Sequence, residues 1–316
     1  MKRILANLLA ASVAATAIPA FAEYPDKPIE IIVGYAAGGG TDVMARTVGK
    51  YLEKELGGSA SVVIKNVPGA GGQIGFTNVA TAKPDGYTLG TFNLPTALAL
   101  THDRKADYGL QSFSYLANFV KDPNTIVVSA ASSYKSLKEF LDAAKAKPGA
   151  VTMGLSSLGG NDHFAAIMMQ KASGVSFALV PFKGAALART SLIGGHVQAG
   201  TMTLSQTTAY KDQLRVLAVL DDKRSPFRPD VPTAKELGFD VQMSSLRGIV
   251  GPAGLPKPVA EKLAKALAAV NANPEFQAMM SKQGNPMAFA AGDEFTALAK
   301  AQAGVAKQIW ETTPWK

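Results

Sequence analysis

The sequence predicts an α/β chain built in two halves. Three observations carry that prediction. Short apolar, β-rich runs alternate with helical stretches. The alternation restarts after Asp122-Pro123. A glycine-rich turn between a strand and a helix, early in the first half, has a counterpart early in the second.

In chain order, residues 29–33 read as a buried strand. Residues 42–56 read as a helix, with Met44, Val48, Tyr51, Leu52 and Leu56 near one face and Gly57-Gly58 ending it. Residues 61–66 form the next strand, 73–81 a helix and 88–92 a strand. In the second half, 125–128 is a strand, and 136–147 is a helix opened by Ser136 and Glu139 at capping-box spacing. Residues 151–154 are a strand, 162–173 a helix, and 177–180 and 214–220 strands. Pro226, Pro229 and Pro232 make 225–232 irregular. Helices over 257–272, 275–282 and 293–310 finish the chain.

The first residues read as a secretory signal peptide. Lys2 and Arg3 precede an apolar stretch over 4–18, and Ala20-Phe21-Ala22 is a small-x-small cleavage site. The mature chain is expected to begin at Glu23 and to reside in the periplasm. The apolar stretch is short for a membrane span. The chain of 316 residues has no cysteine. That excludes disulfides, thiolate metal sites and cysteine nucleophiles, and the length suffices for two lobes without them. The net charge of +8 comes from Lys and Arg scattered singly along the sequence. No basic run interleaved with aromatics appears, so a nucleic-acid partner is not expected.

Residues 34–45 and 154–165 match at five positions at a constant offset of 120: Gly34/Gly154, Gly39/Gly159, Gly40/Gly160, Asp42/Asp162 and Ala45/Ala165. A glycine turn opening a helix leaves backbone N–H groups free, and the helix dipole favours an anion there. Two such turns suggest two anion-facing lips across a cleft, at the carboxyl ends of the strands. A single turn reads as readily as a tight turn with Asp42 or Asp162 as cap; the matched pair favours binding.

Catalytic and cofactor patterns are missing. Gly69, Gly71 and Gly75 miss the dinucleotide spacing, and no phosphate loop is present. His102, His163 and His196 stand far apart with no zinc spacing, and there is no nucleophile elbow. No cofactor and no metal are expected. His163, in the first turn of the second-lip helix, reads equally as a ligand contact and as a local hydrogen-bonding residue. Arg247, beside small residues and before an apolar strand, reads as a two-pronged partner for a second carboxylate or as a surface arginine. Thr201, Thr203 and Ser205 alternate after a Gly-Gly turn and read as ligand hydroxyls or as a polar strand face.

Further motifs run in order along the chain: residues 24–29 (YPDKPI), Gly38 to Asp42, Asn66 to Gly72, Pro84 to Tyr87, Val180 to Gly184, Gly194 to Val197, Lys223 to Pro226, Pro229 to Pro232, and Pro252 to Gly254. Taken together, these stretches resemble the substrate-binding proteins of tripartite tricarboxylate transporters. The resemblance spans essentially the whole mature chain. It implies a two-lobe periplasmic-binding-protein (venus flytrap) fold whose chain crosses between lobes twice. Lobe I is then 23–123 with 241–316, and lobe II is 124–240. It implies a small carboxylate held by the two strand-to-helix loops, mostly a di- or tricarboxylate, with amino acids and aromatic acids among the family's ligands. Carried onto this sequence, the contacts are Tyr35, Ala37, Gly38, Gly39, Thr41 and Asp42 from one lobe. Ser156, Ser157, Gly159, Gly160, Asn161 and His163 come from the other, and Thr203, Ser205 and Arg247 read the distal end. The implied partners are integral membrane transporter subunits, and the implied state is a monomer without enzymatic activity. Leu158, where a small residue is usual, and residues 101–111 depart from the pattern. The competing readings are an aromatic carboxylate as ligand, presentation of the ligand to a membrane sensor kinase, and a periplasmic hydrolase.

Overall fold

The computed structural model describes residues 24–58 and 60–315; the expected signal peptide lies outside them. The first half runs β1 (Ile29–Val33), α1 (Gly40–Leu56), β2 (Val62–Asn66), α2 (Gln73–Ala80), β3 (Thr88–Leu94) and α3 (Thr96–Asp103). The long strand β4 (Phe113–Ser129) leads into the second: α4 (Leu137–Ala146), β5 (Thr152–Leu155), α5 (Asn161–Ser173), β6 (Ala178–Pro181), α6 (Ala185–Ile193), β7 (Ala199–Thr203), α7 (Ser205–Thr208) and β8 (Leu214–Val219). The chain ends with β9 (Ser244–Pro252), α8 (Lys257–Ala272), α9 (Pro274–Lys282), β10 (Met287–Ala291) and α10 (Gly292–Thr312).

β1 shows why the first sheet forms. Ile29, Ile31 and Val33 face a core with Met44, Val48 and Leu52 of α1 and Leu263 and Leu267 of α8. Ile32, on the other face, packs with Phe76, Val79 and Phe92. A strand covered on both faces needs a nearly continuous apolar run, and β1 pairs in parallel with both β2 and β3. The second half repeats the plan, with β5 parallel to β6 and β7 and Phe140, Phe164 and Met169 packed over it.

β4 joins the two halves. Its first part pairs antiparallel with β9 and β10, and its last part with β7 and β8. What the sequence reads as a restart at Asp122-Pro123 is one continuous strand changing sheets. The return crossing lies against it: Asp122 and Pro123 pair with Ser245 and Ser244, and the Asn124 N–H donates to the Met243 carbonyl at 2.8 Å. The C-terminal helix adds a further link. Phe295 and Ala299, early in α10, sit in the first-half core. Ala306, Ile309 and Trp315 sit in the second-half core with Phe164.

Several elements differ from expectation. α3, α6 and β10 arise where none was expected, and the 125–128 strand is the end of the much longer β4. β9 begins before Arg247 and includes it. In α4, Ser136 Oγ accepts from the Glu139 N–H at 3.2 Å, but Glu139 reaches back to the Lys135 N–H, not to that of Ser136.

Candidate functional site

Both glycine turns lie at the carboxyl ends of their strands, β1 and β5, and both open a helix. Gly39 and Gly160 are the residues preceding α1 and α5. With glycine before each, neither helix has a capping side chain for its first-turn N–H groups. The left-handed residues are Gly38 (φ 81°) and Gly159 (φ 70°). In three dimensions, Gly38 therefore corresponds to Gly159 and Gly39 to Gly160, one residue out of step with the sequence match. Asp42 then corresponds to His163, not to Asp162. The hydrogen bonds agree: the Gly38 N–H donates to Asp42 Oδ2 at 2.9 Å, and the Gly159 N–H donates to His163 Nδ1 at 3.2 Å. Each loop is pinned by a side chain one turn into its own helix.

Neither aspartate is a helix cap. Asp42 is buried and also accepts from Asn66 Nδ2 at 2.9 Å and Arg46 Nε at 3.1 Å. Burial opposes ionisation of this carboxyl, but the donors of Arg46, Gly38 and Asn66 prevail and lower its pKa. Asp162, equally buried, accepts from Asn124 Nδ2 (2.7 Å), Asn161 Nδ2 (2.9 Å) and the Ser156 N–H (3.3 Å). Among the described residues no cation is bonded to it directly, and burial raises its pKa against those donors and the field of Arg247.

Arg247 is 2% exposed, and Asp122 is fully buried. Nη2 of Arg247 donates to Asp122 Oδ2 at 2.7 Å and to Thr203 Oγ1 at 3.0 Å, and Nη1 donates to Asn285 Oδ1 at 3.4 Å. Ser205 completes the cluster, donating to Asp122 from its backbone N–H at 3.1 Å and from its hydroxyl. The guanidinium also lies under the first lip. A Cβ on Gly40 would stand 2.9 Å from Nη1. Its charge is felt by the Tyr35 phenol of one lip and by Asp162 of the other. Burial keeps that phenol protonated, far above its ordinary range. The surface-arginine reading of Arg247 is thus excluded. Thr203, Ser205 and Arg247 come together as expected, around a protein carboxylate that the sequence reading did not include.

Among the other expected contacts, Ala37, Gly38 and Gly39 are exposed, and Tyr35, Ser156, Ser157 and Asn161 are half-buried. Thr41 is buried and accepts from Asn93 Nδ2 at 2.8 Å. Gly159 and Gly160 are covered: a Cβ on Gly159 would meet Trp315 Nε1 at 2.8 Å, and one on Gly160 would lie 3.5 Å from Thr96 Oγ1. The sequence reading missed Asn93, Thr96, Asp122, Asn124 and Trp315. Only the polar character of Asn93 in an apolar strand and of Asp122 and Asn124 flanking a proline signalled them. Among the described residues no cluster of His, Asp and Glu is arranged to hold a metal.

Residues 44–312 match the tripartite tricarboxylate transporter family receptor, TctC. The chain belongs to that family. It is 32% identical to a UPF0065 protein of Cupriavidus necator, over 86% of this chain and 84% of that one. It is 34% identical to BugT of Bordetella pertussis, over 76% and 75%. Among solved structures, a TctC solute-binding protein from Polaromonas is similar at 31% identity and a TM-score of 0.72, covering 92% of this chain and 99% of that one. The periplasmic binding protein BugD is similar at 30% identity and a TM-score of 0.82, covering 92% and 98%. This TctC-family receptor is therefore a solute-binding protein with the two-lobe fold, and not an enzyme. The hydrolase reading falls with that.

The receptor's second glycine turn is held by a buried histidine. His163 is 4% exposed, and burial lowers its pKa to about 4. Above about pH 6.5 the ring is neutral in both folded and unfolded chains. Between about pH 6.5 and 4 the unfolded chain takes up a proton that the folded chain refuses. Stability should therefore fall over that window, by up to about 3 kcal/mol. Asp162, its pKa raised by burial, takes up a proton in the folded chain before the unfolded chain does, which opposes part of that loss. His163→Gln retains an acceptor for the Gly159 N–H and should flatten the decline. Urea midpoints for both proteins between pH 7 and pH 4.5 check this; equal slopes would clear His163 of the role.

Proposed function

We propose that the chain is an exported receptor that captures a small carboxylate, a di- or tricarboxylate foremost, between its two glycine lips. It then passes the ligand to the membrane subunits of a tripartite transporter. The observation that carries this reading is the pair of uncapped helix N-termini, α1 and α5, each preceded by a loop whose conformation a buried side chain fixes. Backbone donors held in place before binding can grip a carboxylate without a dedicated cation. The contact surface is Tyr35 with the backbone of Ala37 to Gly39 on one side, and Ser156, Ser157 and Asn161 on the other. Thr41, buried beneath the first lip, adds its hydroxyl to that surface; Asp42, Gly159, Gly160, Asp162 and His163 shape the lips, while Thr203, Ser205 and Arg247 set the distance between them. Family membership supports the transporter as partner.

Calorimetry of the mature chain against mono-, di- and tricarboxylates tests the reading, together with small-angle scattering at saturation. At least one acid should bind, and the radius of gyration should shrink as the lobes close on it. A chain that binds none of them is not this receptor. Export has its own check. Mass spectrometry of periplasmic protein should find Glu23 at the N-terminus, and an intact leader there would refute the cleavage assignment.

A further inference from the structure

Asn93 stands at the end of β3, between the first lip and the central cluster. Its register partner on β9 is Arg247, whose guanidinium underlies Gly40. Its amide Nδ2 donates to Thr41 Oγ1, in the first turn of α1. The side chain is 6% exposed, and its Oδ1 is closed off from solvent and meets no donor among the described residues. Just beyond it, α3 begins with Thr96, which approaches Gly160 of the second lip. An acceptor is therefore held, unpaired, at the carboxyl end of a strand where both lips converge.

Buried acceptors are nearly always satisfied, so one left unpaired beside a binding loop asks for a donor from outside the chain. A bare carboxylate carries none. We infer that Asn93 is a specificity-determining residue that accepts a hydrogen bond from a hydroxyl or amino group on the carbon next to the ligand's carboxylate. This rests on the carboxylate reading above. The pairing is complementary: Thr41 Oγ1 accepts from Asn93, so its own proton is free to donate to the carboxylate, while Oδ1 accepts from the neighbouring substituent. One pair of side chains then reads two adjacent ligand groups of opposite hydrogen-bonding sense. The central charge is already matched, since Arg247 is paired with Asp122. Discrimination through a neutral acceptor therefore does not require a second free cation.

The experiment compares acids that differ only in that substituent: propionate, lactate and alanine; succinate, malate and aspartate; tricarballylate and citrate. Affinities are measured by calorimetry on the mature chain. In whichever series binds, the substituted acid should bind more tightly than the unsubstituted one. The gain should be about three- to tenfold for a hydroxyl and about ten- to hundredfold for an ammonium. The size of the gap thus tells the two donors apart. Asn93→Ala should reduce the gap to less than twofold, whatever it does to affinity overall. Asn93→Asp keeps an acceptor and should preserve the hydroxyl gap and widen the ammonium gap. Circular dichroism establishes folding, and Asn93→Asp serves alone if the alanine variant does not fold. Equal binding of substituted and unsubstituted acids overturns the inference, and so does a gap that survives Asn93→Ala. An ammonium gap that does not widen in a folded Asn93→Asp also overturns it, because a carboxylate touching that ammonium must favour it over a hydroxyl. If no acid in any series binds, the carboxylate reading itself fails, and that outcome is distinct from the others.

Discussion

Arg247→Ala should destabilise the protein by about 3–5 kcal/mol, a large share of the stability of an ordinary domain. The loss comes less from the missing attraction than from what is left behind. Asp122 is fully buried, and Arg247 is its only ion-pair partner among the described residues. The Ser205 N–H and hydroxyl remain as donors, which is too little for a carboxylate shut off from water. Thr203 and Asn285 lose a donor at the same time. Asp122→Leu combined with Arg247→Met should restore much of the loss, because a buried pair replaced by apolar groups of similar size is often neutral. Urea unfolding of the single and double variants closes the cycle. A loss under about 1 kcal/mol for Arg247→Ala would mean that water reaches Asp122.

The same substitution bears on binding. Arg247 supports Gly40 from below and ties β9 to Asp122 at the crossing and to Thr203 at the end of β7. Without it, the lips lose their common support. Affinity for mono- and dicarboxylates should fall together. A selective loss for dicarboxylates would restore the reading in which Arg247 grips a second ligand carboxylate.

Where local pattern and tertiary environment agree, the sequence was legible. β1 is an apolar run covered on both faces, α1 carries its buried residues along one side, and α8 follows its sequence pattern over its full length of 257–272. The unreadable elements lack such a period. The first five residues of α3 are all buried, which erases any polar face, and α6 groups Arg189, Thr190 and Ser191 consecutively between apolar residues instead of spacing them along one face. β4 was cut short because Asp122-Pro123 resembles a turn, whereas here aspartate finds a buried arginine and proline sits where the strand changes sheets. The lips show the limit most clearly. Identity aligned Asp42 with Asp162, but turn geometry aligns Asp42 with His163. A carboxylate and a neutral imidazole are chemically unlike, yet both accept one backbone N–H four residues back, and no comparison of letters reveals that equivalence. Trp315 was invisible because nothing in the sequence says that the last helix reaches the second lip.

Gly159→Val should abolish measurable carboxylate binding, an effect of at least about a hundredfold. Two independent costs fall at this position. Its φ of 70° lies in the left-handed region, where a residue with a Cβ is strained by about 1–2 kcal/mol and a β-branched one by more. A Cβ there would also stand 2.8 Å from Trp315 Nε1 and 3.6 Å from Leu100 Cδ2, so the C-terminal tail has to move or the loop has to. Either movement takes the Gly159 N–H away from His163 and reorients the donors at the start of α5. Gly38→Val isolates the first cost, since its φ is 81° but no atom lies within 4 Å of a Cβ there. Gly39→Ala isolates neither: φ is −78° and the nearest contact, Ala36 O at 3.6 Å, is ordinary. Its affinity should stay within about tenfold of the parent's. Calorimetry on the three variants, after circular dichroism establishes folding, ranks the losses Gly159→Val, Gly38→Val, Gly39→Ala. Fluorescence supplies a second reading, because both tryptophans, Trp310 and Trp315, lie at this end of the chain and pack edge to face with centroids 4.9 Å apart. Gly159→Val should shift their emission to the red as Trp315 loses its cover, and Gly38→Val should leave it unchanged. Parental binding and parental emission in Gly159→Val would show that the tail does not rest on the second lip in solution.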